Sequence, residues 1–330
     1  MSKIVRFHRL GGPEVLQFEE MEPRQPGHGE VLLRVQAAGL NRAEALYMRG
    51  HYLEQPQLPS RLGYEVSGVV EAVGEGVDAR WLGKQVSTVP GFSQNRYGSL
   101  GEWALAPAVA LAEYPANLGP AVGAAIWMQY LTAYGALVHL GKAGPGDFVS
   151  IPAASSSVGL AAIQIVRDQG ATAIAVTRTG AKREELLELG AHHVIASEEE
   201  DYVARIKEIT GGRGARLTFD PVAGPAVERL AEGASRGGTI FIYGALSGQP
   251  TPFPLGQALW RGLVLRGYTL MEVTADAGVA ETAKKYVYDR LADGRFVPRI
   301  ARVFPFAEAA EAYRYLESNQ QVGKVVITVP

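Results

Sequence analysis

The segment 147–182 constrains the fold of this chain more than any other part of the sequence. An apolar stretch, FVSIPA, runs into a turn of small residues and then into an amphipathic helical pattern. A second apolar stretch, TAIAVT, follows and ends at Thr177-Arg178-Thr179. This order predicts a strand, a turn, a helix and a second strand, which together begin a doubly wound parallel sheet.

The turn predicts a binding site for a dinucleotide. Its residues are Ser155, Ser156, Ser157 and Val158. Small side chains let the backbone approach a pyrophosphate, and the N-terminus of the next helix offers unpaired N–H groups and a positive dipole end. We therefore expect these residues to bind cofactor phosphates. The alternative is that the serines only cap the helix.

The end of the second strand predicts which dinucleotide binds. An acidic residue is expected about 20 residues after the turn, where it bonds the ribose 2′-hydroxyl of NAD. Arg178 stands there instead, and Lys182 follows one helical turn later. Cations can hold a 2′-phosphate, although charged residues at a helix start are also common on solvated surfaces. The pattern favours NADP(H), with contacts from Thr177, Arg178, Thr179 and Lys182.

The composition excludes several classes of protein. The 330 residues include no cysteine, which excludes disulfides, thiolate zinc sites and a cysteine nucleophile. A net charge of −2 gives no general attraction to nucleic acid or to an anionic membrane. No uninterrupted apolar run reaches about 18 residues, and the N-terminal sequence lacks the apolar core of a signal peptide. A cytoplasmic enzyme without nucleic-acid or membrane partners is expected.

The pattern of the chain changes twice, which predicts an interrupted first domain. Short strands with glycine at their bends fill the first 110 residues and favour a partly open barrel. A long apolar helix is expected over 120–140, and six strands then alternate with helices. The pattern of the last part of the sequence resembles a return to the first domain. We expect a catalytic domain over 1–122 and 270–330 and an NADP-binding domain over 123–269.

Several motifs together resemble one enzyme family. They are AAGLNRAEALYMRGHY at 37–52, LGYEVSGVVEAVGEGV at 62–77, LTAYGAL at 131–137, the segment 153–171 and GKVVITV at 323–329. The chain resembles the medium-chain dehydrogenase/reductase superfamily, in its zinc-independent quinone oxidoreductase (zeta-crystallin-like) branch. The resemblance implies an α/β fold with a GroES-like partly open β-barrel and a Rossmann domain, and it implies NADP(H) as cofactor.

The sequence departs from the family at two places. Ser156 and Ser157 replace the central glycines of the usual phosphate turn, which adds hydroxyl donors but narrows the backbone choices. Leu46 stands where the quinone reductases often carry a tyrosine near the substrate. The resemblance therefore leaves the substrate pocket open.

The resemblance also argues against a catalytic metal. Asn41 and Tyr64 occupy two ligand positions of the zinc-dependent relatives, and both side chains are poor zinc ligands, although Glu65 is kept. The adjacent His192 and His193 lack the spacing of a metal motif. No metal site is expected.

Three catalytic residues follow from the resemblance. The Asn41 amide is expected to orient the nicotinamide ribose or a substrate carbonyl, with a loop cap as the alternative. Tyr52 is expected to stack on a quinone or to donate a hydrogen bond to a developing oxyanion, with a surface aromatic as the alternative. Thr132 is expected near the nicotinamide, with a bond to its own helix as the alternative.

Further cofactor contacts are implied by the resemblance. Tyr243, Gly244 and Leu246 follow the fifth strand of the predicted sheet, where the backbone is expected to meet the nicotinamide carboxamide. Asn319 in the tail is expected to reach the cofactor. The nicotinamide is expected between the two domains, because ligands bind at the carboxyl ends of parallel strands.

Three functions remain open. The first is direct hydride transfer from NADPH to a quinone or a similar electron-poor acceptor, which needs orientation but no metal. The second is reduction of an enone or enoyl thioester, and the third is non-enzymatic NADPH binding. The sixth strand, within GLVLRGYTL, ends the predicted sheet with unpaired backbone groups. A homodimer with Leu263–Leu270 near its centre is therefore expected.

Overall fold

The computed structural model of the protein describes residues 2–330. The chain divides into two compact units. The first unit contains the described residues up to Met128 together with Lys284–Pro330, and the second unit contains Gln129–Ala283. Both boundaries lie later in the chain than the predicted ones at residues 122 and 269.

The contacts at each boundary explain this difference. The long apolar stretch begins on the first unit, where the Ser67 hydroxyl donates to the carbonyl oxygen of Pro120 at 2.6 Å. The second boundary lies inside one helix, Ala277–Ala292, in which the Lys284 ammonium donates to the carbonyl oxygen of Leu111 at 3.2 Å. Sequence periodicity marks helices but does not show which unit each turn packs on.

The strands of the described residues are numbered in chain order. They are β1 (Ser2–Phe7), β2 (Leu16–Met21), β3 (Glu30–Gly39), β4 (Ser60–Arg61), β5 (Glu65–Val73), β6 (Gln85–Thr88), β7 (Trp103–Pro107), β8 (Leu111–Ala112), β9 (Phe148–Pro152), β10 (Thr172–Thr177), β11 (His193–Ala196), β12 (Ala215–Asp220), β13 (Ala234–Ile242), β14 (Val264–Gly267), β15 (Ile300–Pro305) and β16 (Lys324–Thr328).

The α-helices are numbered in the same way. They are α1 (Arg42–Met48), α2 (Gln94–Tyr97), α3 (Pro120–Gly123), α4 (Trp127–Tyr134), α5 (Ser157–Asp168), α6 (Arg183–Glu188), α7 (Tyr202–Thr210), α8 (Ala226–Gly233), α9 (Leu255–Arg261), α10 (Met271–Thr274), α11 (Ala277–Ala292) and α12 (Ala309–Glu317). A π-helix over Gly135–Leu140 continues α4. Short 3₁₀ turns lie at Pro13–Val15, Ala79–Trp81, Ala108–Ala110, Gly180–Lys182 and Phe306–Glu308.

The first unit is built mainly from antiparallel strands, as predicted. One sheet has the order β15-β16-β3-β5-β6-β8, with β7 also paired to β3, and a smaller sheet has the order β2-β1-β4. Alternate side chains of these strands and of α12 meet in one apolar core, which includes Val35, Val66, Phe304 and Tyr313. Since β16 lies between β15 and β3, the tail of the sequence completes this unit.

The second unit is a parallel sheet with helices between its strands, as predicted. The strand order is β11-β10-β9-β12-β13-β14, and every neighbouring pair is parallel. Buried apolar runs fill the strands because helices cover both faces of such a sheet. The strand order reverses at β9, which makes the carboxyl ends of β9 and its neighbours the expected ligand site.

The predicted long helix over 120–140 is broken near its beginning. A turn of helix, α3, ends at Gly123, and α4 begins at Trp127. By length and composition alone the whole stretch Pro120–Leu140 is apolar enough to span a membrane, but 78% of its apolar window is buried within the protein. A core helix passes the same test, so the stretch is weak evidence for a membrane.

Candidate cofactor and substrate sites

The phosphate turn of the second unit adopts an unstrained backbone at its serines. Ala153 takes the left-handed conformation, with φ of 50°, directly after β9. Ser156 is extended, with φ of −69°, and its hydroxyl accepts a hydrogen bond from the N–H of Gly159 at 3.0 Å. Ser156 therefore caps α5, and its extended backbone conformation is open to residues other than glycine. Ser157 and Val158 form the first turn of α5 and are half-buried.

Gly159 lets α5 start close to the strand. A Cβ atom at this position would lie 2.6 to 2.7 Å from the backbone of Ala154. Atoms cannot approach that closely, so only glycine fits without a shift of the backbone. This is the role of the last glycine in a dinucleotide turn, close packing of helix and strand.

Two cations lie beside this turn. The Lys182 ammonium donates to the Ser155 hydroxyl at 3.2 Å. Burial and the neighbouring Arg178 guanidinium both lower the pKa of Lys182. Arg178 itself is exposed at the carboxyl end of β10. Since like charges held together are stabilised by an anion, this corner of the sheet fits a phosphate.

The threonines on either side of Arg178 shape the backbone there. The Thr177 hydroxyl donates to the carbonyl oxygen of Thr179 at 2.8 Å, which closes a tight turn. Thr177 is buried, whereas Thr179 is exposed and precedes the 3₁₀ turn. Thr177 therefore supports the position of Arg178 through its own turn.

The segment after β13 packs on the loop that follows β12. The ring of Tyr243 stacks on Phe219 with centroids 4.0 Å apart, and its buried hydroxyl has no hydrogen-bond partner among the described residues. A Cβ atom on Gly244 would lie 2.7 Å from the carbonyl oxygen of Pro221. Leu246 is exposed, and its N–H donates to that same carbonyl. Gly244 is therefore required by the close approach of its backbone to the loop that follows β12.

Thr132 lies on α4, just before an irregular helical segment. It is buried, and the π-helix Gly135–Leu140 follows. A Cβ atom on Gly135 would lie 2.0 Å from the Tyr268 hydroxyl, which donates to the carbonyl oxygen of Leu131 at 3.4 Å. π-Helical turns are frequent at functional sites, so the segment is a reasonable place for a residue that faces a ligand.

Asn41 stands at the start of α1 in the first unit, and its donors are already used. Its amide nitrogen donates to the carbonyl oxygen of Gly39 at 3.1 Å and to Glu44 at 3.2 Å. Its Oδ1 accepts from the Lys324 ammonium at 2.7 Å. Only one acceptor position of this amide is left for a ligand.

A buried ion pair lies next to Asn41. The Lys324 ammonium and the Glu65 carboxylate are 2.5 Å apart, and both side chains are fully buried. The other oxygen of Glu65 accepts from the N–H groups of Ile126, Trp127 and Met128 at 2.6 to 3.1 Å. These N–H groups form the N-terminus of α4, where a carboxylate is favourable. Glu65 therefore breaks the predicted long helix and starts α4.

Glu44 is a second buried carboxylate in this cluster. It accepts hydrogen bonds from the N–H of Asn41 at 2.6 Å and from the N–H of Tyr64 at 3.2 Å. Burial raises its pKa to about 7, while the Lys324 ammonium and the hydrogen bonds of Asn41 oppose the rise. The Lys324 ammonium thus acts on two buried carboxylates, and the raised pKa of Glu44 lets that side chain take up a proton near neutral pH.

Tyr52 and Tyr64 are neighbours in the same unit. Their ring centroids are 6.2 Å apart, at an angle of 63°. Burial raises the pKa of Tyr52, and the neighbouring Tyr64 hydroxyl opposes that rise. Tyr52 is half-buried, whereas Tyr64 is buried. Of the two phenols, Tyr52 is the one that a ligand can reach.

Asn319 lies in the first unit, at the end of α12. It takes the left-handed conformation, with φ of 59°, and its Oδ1 accepts from the Arg42 guanidinium at 2.7 Å. An asparagine in this conformation is a common end of a helix. Asn41, Tyr52 and Asn319 thus belong to the first unit, and the other predicted site residues belong to the second.

The residues at the zinc-ligand positions do not fit a metal. Asn41 bonds an ammonium, Tyr64 is an aromatic side chain in an apolar cluster, and Glu65 already holds Lys324 and a helix N-terminus. Within residues 2–330, no group of three or more His, Cys, Asp or Glu side chains is placed to hold a metal ion.

Two domain models match the chain. The alcohol dehydrogenase GroES-like domain matches residues 27–126, and the zinc-binding dehydrogenase domain matches residues 157–285. The name of the second model refers to a metal that the residues described above do not fit.

Named relatives match over almost the whole length. The 2-haloacrylate reductase of a Burkholderia species is 30% identical over 97% of both chains, and quinone oxidoreductase 1 of Escherichia coli is 31% identical over 99% of both. The crystal structure of the Escherichia coli quinone oxidoreductase complexed with NADPH has a TM-score of 0.90 at 30% identity, and covers 99% of both chains. The chain belongs to the quinone oxidoreductase branch of the medium-chain dehydrogenase/reductase superfamily. The predicted α/β fold, with a GroES-like and a Rossmann domain, is confirmed.

The cluster of buried charges formed by Lys324, Glu65 and Glu44 was not predicted from the sequence. Lys324 resembles a tail residue of the family, but its ammonium bonds Glu65 and Asn41 inside the first unit. Glu44 lies within the motif at 37–52, but the resemblance implies no role for it. The available signal was the position of Glu44 three residues after Asn41, which is the spacing of a capping box.

Proposed function

We propose that the protein is an NADPH-dependent quinone oxidoreductase. The observation that carries the proposal is the hydrogen bond between Lys182 and Ser155. It joins the cation pair that follows β10 to the phosphate turn that follows β9. No acidic side chain stands at Arg178, the position where NAD-binding sheets place one. The relative with bound NADPH supports the same cofactor.

The second unit would bind the cofactor through backbone N–H groups and through positively charged side chains. N–H groups at the start of α5 would bind the pyrophosphate, and Arg178 with Lys182 would bind the 2′-phosphate. Ser155 keeps Lys182 at the turn. NADPH supplies a hydride when it is bound.

The first unit would contribute to substrate orientation. Tyr52 is half-buried, and it would donate a hydrogen bond to the oxygen on which negative charge develops. Asn41 would accept one hydrogen bond through its remaining Oδ1 position. The proton of the reduced product would come from the Tyr52 hydroxyl or from water.

A second candidate is reduction of a conjugated carbon–carbon double bond. The observation that favours it is the 2-haloacrylate reductase, which matches 97% of the chain at 30% identity. A hydride added to the β-carbon of an unsaturated acid or enone leaves an enolate oxygen for Tyr52 to stabilise. The same residues therefore serve both reactions.

One assay separates these functions. NADPH oxidation is followed at fixed protein concentration with a naphthoquinone, with an enone and with 2-chloroacrylate, and is repeated with NADH. We expect the naphthoquinone to give the highest kcat/KM, and only with NADPH. A higher value for 2-chloroacrylate or the enone would favour the second candidate. If the protein binds NADPH tightly but no acceptor causes NADPH oxidation, the third function, non-enzymatic NADPH binding, would be supported.

We also propose a homodimer that works in the cytoplasm. β14 is the last strand of the sheet, with one paired edge. Large apolar side chains are exposed near it, including Phe253 at 64%, Leu259 at 76%, Trp260 at 71% and Val264 at 49%. An exposed edge beside such a patch is a pairing surface. The small net charge and the lack of cysteine support a reducing compartment without nucleic-acid partners.

A further inference from the structure

An arginine in the first unit has no counter-ion. Arg61 ends β4, and its Nη2 donates to the carbonyl oxygen of Trp103 at 3.0 Å. Its Nε is buried without a hydrogen-bond partner, and no salt bridge joins Arg61 to any described residue. Burial, together with the nearby Arg6, lowers the pKa of Arg61 to about 10. A covered charge without a partner is costly to a folded protein.

Two carboxylates near Arg61 are already paired with other cations. Arg6 pairs with β4 directly beside Arg61 and forms its own salt bridge with Glu19 at 2.9 Å. Glu30 is shared by Arg24 at 3.1 Å and Arg96 at 2.9 Å. Glu19 and Glu30 are therefore each paired with an arginine other than Arg61.

Arg61 lines a cavity of about 150 Å³. The apolar part of the wall includes Ile4, Leu32 and Trp103. The charged side chains of Glu22, Arg24 and Arg96 also line the cavity. A protein cavity of about this volume accommodates a benzene molecule. The cavity thus combines space for a small apolar body with a guanidinium that lacks an anion.

We propose that this cavity binds a small organic monocarboxylate, whose carboxylate pairs with Arg61 and whose apolar body fills the remaining space. A guanidinium and a carboxylate match in shape and charge, because two N–H groups meet two oxygens. A carboxylate with a ring or branched body fits both features of the cavity. The ligand would satisfy the charge that the protein leaves unpaired.

Calorimetric titration with sodium benzoate tests the site on the protein saturated with NADPH. We expect saturable binding of one benzoate per chain, with benzamide and acetate each at least about tenfold weaker. Benzamide keeps the ring without the charge, and acetate keeps the charge without the ring. Equal binding of either control, displacement of benzoate by NADPH, or no saturable binding would overturn the proposal.

Variants locate the site. Arg61→Gln should weaken benzoate binding at least about tenfold, and Arg61→Lys should weaken it less because the charge remains. Arg24→Gln is the matched control, since Arg24 lines the same cavity but already shares Glu30. Without benzoate, the unfolding midpoint of Arg61→Gln should not fall, which checks that the variant is folded. Unchanged benzoate affinity in folded Arg61→Gln would contradict the site, and if that variant does not fold, the comparison with Arg61→Lys decides.

Discussion

At the scale of single residues, we expect the preference for NADPH over NADH to depend on the residues at the end of β10. Arg178 is exposed there, and Lys182 is held by Ser155. The two cations differ in how much free energy their charge costs the folded protein. Lys182 is half-buried and burial lowers its pKa, whereas the side chain of Arg178 remains in water. Removal of the Arg178 side chain should therefore weaken the binding of NADPH and have little effect on the stability of the fold.

Arg178→Ala should weaken NADPH binding and leave NADH binding nearly unchanged. A hydrogen bond to a charged group contributes roughly 1.5–3 kcal/mol, which corresponds to about a tenfold to hundredfold loss of NADPH affinity. Fluorescence titration with both nucleotides measures the change. Arg229→Ala, which removes an exposed arginine on α8, is the control and should bind both as before. Tighter binding of NADH than NADPH by the unmodified protein would refute the assignment.

Tyr52→Phe should lower turnover without affecting the cofactor. Loss of one hydrogen bond to a developing oxyanion should reduce kcat by about 10- to 100-fold, or roughly 1.4–2.7 kcal/mol. NADPH affinity should stay the same, as should all constants of the control Tyr288→Phe, an exposed tyrosine. If kcat is unchanged and only KM rises, Tyr52 contacts the substrate but does not stabilise charge.

Glu44 should make stability depend on pH near neutrality. Burial raises its pKa from 4.5 to about 7, so the folded state holds this proton more tightly than the unfolded state. The contribution of Glu44 to the free energy of unfolding is then largest below about pH 4.5 and decreases as the pH rises towards 7. Glu44→Gln should flatten this decrease in urea unfolding between pH 5 and 8. The exposed Glu228→Gln should not, and a parallel pH profile for both variants would exclude Glu44 as the source.

At the scale of elements, close packing fixes the beginning of α5. Gly159 allows the helix to approach Ala154 at a distance that no side chain permits. The strands of the parallel sheet were largely predictable, because their apolar runs are bounded by glycine, proline and polar residues. β13 begins earlier than its apolar run, at Ala234, because its pairing with β12 shifts register there. Such an irregularity leaves no mark in the hydrophobic pattern.

Gly159→Ala should destabilise the second unit and weaken NADPH binding. Overpacking against a backbone typically costs about 1–3 kcal/mol. Gly256→Ala is the matched control, because Gly256 also lies in the first turn of a helix but a Cβ atom there meets nothing within 4 Å. That control should keep or raise the free energy of unfolding by up to about 1 kcal/mol. Urea unfolding measures both, and equal effects of the two substitutions would disprove the packing argument.

The charge cluster of the first unit could be predicted only in part. The positions of Asn41, Tyr64 and Glu65 follow from motifs, but the partner of Glu65 is 259 residues away. An ion pair between distant segments depends on how β16 enters the sheet, which local periodicity does not show. The break in the long helix could not be predicted either, because Glu65, which binds the N-terminus of α4, belongs to β5 and not to the helix.

At the scale of the whole molecule, the exposed edge of β14 and the apolar side chains of α9 predict association. Trp260→Glu combined with Val264→Asp should convert the protein to a monomer, because charges at a pairing edge oppose docking. Light scattering at micromolar concentration gives the mass. Leu53→Asp is the control, since Leu53 is equally exposed but belongs to the first unit, and it should remain a dimer. A monomeric mass for the unmodified protein would rule out the homodimer.

The position of β16 between β15 and β3 also sets an order of events during synthesis. β3, Glu44 and Glu65 leave the ribosome long before Lys324, which is 259 residues later than Glu65. Until then β3 is paired only with β5 and β7 and lacks β16, and the two carboxylates lack their cation. The second unit, by contrast, has all its strands within 148–267 and can close first. A nascent chain released before β16 would therefore carry a finished nucleotide-binding unit beside an open barrel, a form that chaperones and proteases recognise.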